Sequence, residues 1–444
     1  MSKINLSCDW LPTGNDSPEI RDTSGRLTIA VDGHCLTRSE DIWTRTVRDD
    51  VLVSAYPLAL WFASSWWRLL HEPLADTKGT PAIDWRMSHE LGAANHGFVW
   101  PNVSFTSDGE EIQIGARASN PESQQSVRYL ESLNAPARIR TAEFEREIER
   151  FIGSVVSRLE TMGHSETELA SLWSLVQKDR SNADSARLRR LEALLGYDQE
   201  ECPDELLETA RRLEKRVGQE TFAELAPAYG ATQGTVTLDD LIELEQLPGL
   251  IGKPHFDTRI VVAGAHSNVP WECAAATAHE LRKSLRYNDD LIPTSSLYAA
   301  LGLNPDSVAG WKPPLSIQKV GVAAPVENGM FVFKPRKNQP IAQRFEFARF
   351  IGDLLATSMA EPQWLASTDS VTWRQKFQRA FAAEFLCPIA SLLEFLNGDD
   401  SMPSLMHAAR HFQVGFKTVY YLLLNKRDAS LSSHTADLQY HRFA

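Results

Sequence analysis

A His-Glu pair with a second histidine four residues after the first puts two imidazoles on one helix face, able to share a Zn²⁺ while the Glu handles a water. Three His-Glu pairs occur, His71-Glu72, His89-Glu90 and His279-Glu280, but Ala75, Ala93 and Lys283 stand where the second histidine is needed. His89 and His96 are seven residues apart, a spacing that one helix face can carry, although Gly92 and Gly97 weaken such a helix. A metal set of His89, Glu90 and His96, joined by His34, is therefore kept only as an alternative; the competing explanation is polar satisfaction inside an aromatic core. There is no G-x-S-x-G elbow and no G-x-G-x-x-G fingerprint. The fragment Gly249–Pro254, GLIGKP, lacks the spacing and the Ser/Thr of a phosphate loop. Cys8, Cys35, Cys202, Cys273 and Cys387 are widely scattered without a C-x-x-C pair, a pattern of reduced thiols and not of a disulfide framework.

The elements that would position chemistry are clearest between Gln343 and Pro388. Phe345, Phe347, Phe350, Ile351, Leu354 and Leu355 recur at helical spacing, and so do Phe377, Phe381, Ala382, Phe385 and Leu386. The arrangement resembles the ImmA/IrrE family of zinc metallopeptidase domains, in which an RF-x-x-AHE-x-GH segment opens the core helix and an E-A-N-x-FA-x-x-LL-x-P segment supplies the next. Arg344, Phe345, Ala348 and Gly352 match the first frame; Phe381, Ala382, Ala383, Glu384, Leu386 and Pro388 match the second. The ligand positions do not match, because Arg349, Phe350 and Asp353 replace His, Glu and His, and Phe377 falls where the third ligand would be. An obligate cation cannot ligate a dication and a phenyl ring cannot shuttle protons. The resemblance thus implies a peptidase scaffold without its metal, with no catalytic residue and no cofactor. Its groove, with Arg349, Phe350, Asp353 and Phe377, would hold a protein partner. Arg349 and Asp353 could equally form a plain i,i+4 ion pair.

The likeness extends from about Trp271 to Arg427, somewhat over a third of the chain. A helix in WECAAATAHELRKS, a short helix ending at Leu301-Gly302 and a hairpin in GVAAPVENGMFVFKP precede the core helix in the family's order. The tail SLMHAARHFQVGFKTVYYLLLNKR is similar to a helix-turn-helix element, with Ala408, Ala409, Phe412, Val414, Val419 and Leu422 at the apolar positions. Residues 404–427 hold the cations Arg410, Lys417, Lys426 and Arg427 and no acid, so DNA contact by these residues and Tyr420 is a second alternative.

The net charge of −13 argues against a surface that attracts nucleic acid or anionic lipid throughout. The first residues lack the apolar run of a signal peptide, and the apolar stretch Pro57–Leu70 is too short and polar to span a bilayer. These features predict a cytoplasmic protein without a membrane partner. The predicted class is α+β in three domains: a β-rich, Trp-containing domain over 1–121, a helical bundle over 137–229, and the ImmA/IrrE-like domain over 256–430. In the first, Leu27, Ile29 and Val31 before Asp32-Gly33, and Val103, Phe105, Ile112 and Ile114 around Ser107-Asp108-Gly109, predict two hairpins. Seven of the 12 tryptophans lie in the first hundred residues, which predicts a Trp-heavy core. In the second, Ser165 and Glu168 predict a capping box. The functional expectation is a catalytically inactive binding or regulatory protein, in the bacterial stress-response, mobile-element or phage-defence setting that the resemblance implies. An active enzyme with an N-terminal metal site and a DNA-binding regulator are its rivals.

Overall fold

The computed structural model describes residues 3–14, 17–74, 79–122, 124–230, 237–258, 260, 269–287, 291–314, 319–357 and 363–431, without the side chains of 245 and 427–431. The fold is α+β: many helices accompany several small antiparallel sheets. The chain gathers into two compact units that divide at Leu207.

In the first unit, strand Ser24–Val31 pairs antiparallel with Ile4–Trp10, His34–Cys35 and Val51–Ser54. Asp32 and Gly33 both have positive φ, +50° and +82°, as a two-residue hairpin turn requires, so Val31 faces His34. The second predicted hairpin joins Asn102–Ser107 to Glu111–Arg117, and Ala137–Arg140 adds a third strand. A further sheet joins Thr46–Arg48, Ser39–Asp41 and Val127–Tyr129. The apolar run after Pro57 is not one helix but two, Tyr56–Ser64 and Trp66–His71, and both are buried on nearly every side. Trp61, Trp66, Trp67, Trp85 and Trp100 lie in the core, whereas Trp43 is 85% exposed.

The first helix of the expected central bundle packs into the core of the first unit. Helix Thr141–Thr161 turns Phe144, Ile148, Phe151, Ile152 and Val155 into the same core as Phe62 and Phe105. The Phe62 and Phe151 rings lie 6.2 Å apart and those of Phe105 and Phe144 5.6 Å. Helices Glu168–Ser181 and Ala183–Leu194 pack there too, so this unit runs on past residue 121. The predicted capping box is also displaced: the Thr167 hydroxyl, not Ser165, accepts from the Ala170 amide at 3.2 Å.

In the second unit, a four-stranded antiparallel sheet runs in the order Leu250–Gly252, Met330–Lys334, Gly321–Val326, Leu365–Ser367. Two core helices, Pro340–Ala356 and Trp373–Leu386, pack on each other, and Pro270–Ser284 packs on the second of them. A Cβ at Gly352 would meet the Phe381 ring at 2.8 Å, so the missing side chain sets how closely the core helices approach. Helices Ile389–Leu396, Met402–His411 and Phe416–Leu431 complete the unit. No described helix is long and apolar enough to cross a membrane.

Candidate functional site

Helix Trp373–Leu386 is buried almost all round, and its first half carries Arg374, Gln375, Lys376, Gln378 and Arg379, each at most 9% exposed. Charged side chains are rarely buried unless paired, so each of these must find partners inside the unit. The partners come from the first core helix, from residues 364–370 and from residues 221–224. Asp353, on the first core helix, accepts from Arg374 Nε at 2.6 Å and Nη2 at 2.8 Å, and also from the Ala366 amide at 2.9 Å. Two parallel N–H···O bonds to one carboxylate make a strong, orientation-specific pair. Arg374 also donates to the Thr221 hydroxyl and the Trp364 carbonyl, both at 3.3 Å. Thr372, which caps the helix through the Gln375 amide, donates to Glu224 at 2.5 Å. Burial pushes the Glu224 carboxyl up, against the pull of Arg374.

Arg349 stands four residues before Asp353, yet the two do not pair. Its Nη2 donates to the Thr368 carbonyl at 2.8 Å, to Gln375 Oε1, and to Gln378 Oε1 at 3.4 Å. Both glutamines are held in turn, since their Nε2 groups donate to the Ala366 carbonyl at 3.0 and 2.9 Å. Burial, with Arg379 and Arg336 nearby, pushes Arg349 down to about 9, which still leaves it protonated at neutral pH. Arg336 lies beyond, donating to Glu346 at 3.3 Å and to Asp369 at 2.6 Å. Phe350 and Phe377 are apolar members of the same core, with Phe350 5.7 Å from Phe333 and Phe377 stacked 5.4 Å from Trp373.

The four positions expected to line a groove are therefore brought into one core and are not presented to solvent: Arg349 is 5% exposed and Phe350, Asp353 and Phe377 are 0%. They cannot touch a partner while the unit keeps this fold. Nor do they fit a zinc ion, because Asp353 is committed to Arg374 and the remaining three side chains have no lone pair suited to a metal.

The alternative metal set does not assemble. Buried His89 points Nδ1 to the Trp85 carbonyl at 2.8 Å and stacks on the Trp85 ring, with centroids 4.1 Å apart. Glu90 is instead held by Arg86 at 2.8–2.9 Å, His96 faces the Ala94 carbonyl at 3.0 Å, and His34 faces Glu131 at 2.9 Å. Among the described residues no group of three His, Cys, Asp or Glu could hold a metal ion. Compared with known proteins, the chain matches no family model, and no curated protein or solved structure matches it significantly. In the closing element, Arg410, Lys417, Tyr420 and Lys426 are exposed, and the Arg427 side chain lies outside the described residues. All six apolar positions predicted there, from Ala408 to Leu422, are buried.

Sequence reasoning missed Arg374, Gln375, Gln378 and Glu224. A run such as RQKFQR has the composition of a solvated helix face, and nothing in it announces burial.

Proposed function

We propose that the chain is a metallopeptidase-like binding or regulatory protein without peptidase chemistry, acting through a protein partner in a bacterial stress-response, mobile-element or phage-defence system. One observation carries the loss of chemistry: Asp353, at the second histidine position, is the bidentate acceptor for buried Arg374. Arg349, at the first, is spent on the Thr368 carbonyl and two glutamines. The family likeness supports the setting. Because the four degenerate positions are buried, the partner binds elsewhere.

The test is copurification of the native complex with metal analysis of the same sample. A stoichiometric protein partner and no bound zinc are expected. Stoichiometric zinc that is lost in His89→Ala or His96→Ala would overturn the reading, as would turnover of a peptide.

A DNA-binding role is favoured by one observation only: Arg410, Lys417 and Lys426 are exposed on a stretch with no acidic residue from 404 to 427. Phosphate contacts would give an affinity that falls as salt rises. A gel shift at two salt concentrations decides it, and absence of a shift at low salt removes it.

A further inference from the structure

The geometry points to a binding site for a small neutral molecule, ring-sized and carrying one hydroxyl or carbonyl, in a pocket of about 300 Å³ in the second unit. This volume is at the small end for ligand sites, which are mostly apolar with a few placed polar groups. Leu285, Ile292, Leu297 and Phe385 supply the apolar walls, and Tyr287 and Ser296 supply the polar end. The Tyr287 hydroxyl donates to Ser296 Oγ at 2.6 Å, which fixes both groups and leaves the Ser296 hydrogen available to a ligand oxygen. His255 adds a ring at the rim.

The walls are held from behind. Arg282 donates to the carbonyls of Phe385 and Tyr287, and Arg344 donates to the Ile292 carbonyl and the Thr294 hydroxyl. Three lining residues are thus anchored through their backbones by two buried guanidiniums, so little order has to be gained on binding. No Lys, Arg, Asp or Glu is among the described residues that line the pocket. Against these described side chains a neutral oxygen finds a hydrogen bond at Ser296, whereas a carboxylate or an ammonium finds no Lys, Arg, Asp or Glu to pair with. The lining includes none of Arg349, Phe350, Asp353 and Phe377.

The probe is 4-methylphenol, titrated into the full chain and followed by the methyl resonances of Leu285, Ile292 and Leu297. Saturable shifts confined to these residues are expected. Toluene, which lacks the hydroxyl, should bind roughly 3- to 10-fold more weakly, the effect of one neutral hydrogen bond. The shape-matched anion 4-methylbenzoate should bind more weakly than either. Ser296→Ala should remove the advantage of 4-methylphenol over toluene. Ala299→Trp, at an exposed position on the mouth, should block all three while leaving the remaining methyl spectrum unchanged. The inference is overturned if 4-methylphenol gives no saturable shift at millimolar concentration, if the benzoate binds tightest, or if neither variant alters binding.

Discussion

Asp353 and Arg374 show how much a single residue's role depends on where its partner sits. Removing one member of a buried ion pair strands the other, at a cost of about 3–5 kcal/mol. Asp353→Ala should therefore destabilise the second unit by that amount in urea unfolding, since Arg374 would be left on two oxygens at 3.3 Å. Arg349 behaves differently. Among the described residues it has no hydrogen-bonded carboxylate, and its buried Nε has no acceptor. Deleting its charge relieves a desolvation cost but leaves the buried Thr368 carbonyl and Gln378 Oε1 without this donor, so Arg349→Met should destabilise by only about 1–2 kcal/mol. A loss as large as that of Asp353→Ala would contradict this account. His89 supplies a pH dependence in the first unit. Burial holds its pKa down to about 3 in the folded chain, against about 6.5 when unfolded. As pH falls below 6.5 the unfolded chain takes up a proton that the folded chain refuses, so stability drops by about 1.4 kcal/mol per pH unit. Denaturant unfolding at pH 7.5 and pH 5 should show a smaller difference for His89→Phe than for the parent.

Elements were legible where a pattern is local. The 3.6-residue recurrence of phenylalanines marked both core helices, and Asp32-Gly33 and Ser107-Asp108-Gly109 marked two hairpins, because a turn states its φ requirement in its own residues. The polar face of Trp373–Leu386 was not legible. Arginine and glutamine read alike whether water or a carbonyl receives their hydrogens, and only the segments around Thr221, Ala366 and Thr368 decide which. The break at Ser65 falls on the pair Ser64-Ser65, a short polar interruption of an otherwise apolar run. Two helical glycines separate packing from propensity. At Gly352 an added methyl meets Phe381 at 2.8 Å, so Gly352→Ala should cost about 1–3 kcal/mol through overpacking. At Gly153, in helix Thr141–Thr161, a Cβ meets nothing within 4 Å, so Gly153→Ala should instead stabilise by about 0.4–1 kcal/mol. Opposite signs in thermal unfolding are the expected result.

At the scale of the whole molecule, the sequence placed a domain boundary after residue 121 because a polar stretch, NPESQQSVRYLESLNAP, follows there. Polarity marks a surface connection, not the end of a core, and this connection contains strand Val127–Tyr129 and leads into Ala137–Arg140, each of which completes a sheet begun earlier. Helix Thr141–Thr161 then buries Phe144, Ile148, Phe151, Ile152 and Val155, five of its six buried apolar side chains, in the core that holds Phe62 and Phe105. At about 1.5–3 kcal/mol for each buried side chain, those five contribute roughly 7–15 kcal/mol, comparable with the whole stability of a domain. A fragment of residues 1–121 should thus fail to fold, giving poor amide dispersion and binding a hydrophobic dye. Residues 1–207 should give a dispersed spectrum and a cooperative thermal transition. Folding of the shorter fragment would restore the boundary that the sequence suggests and would mean that the aromatic core closes without the helix at Thr141–Thr161.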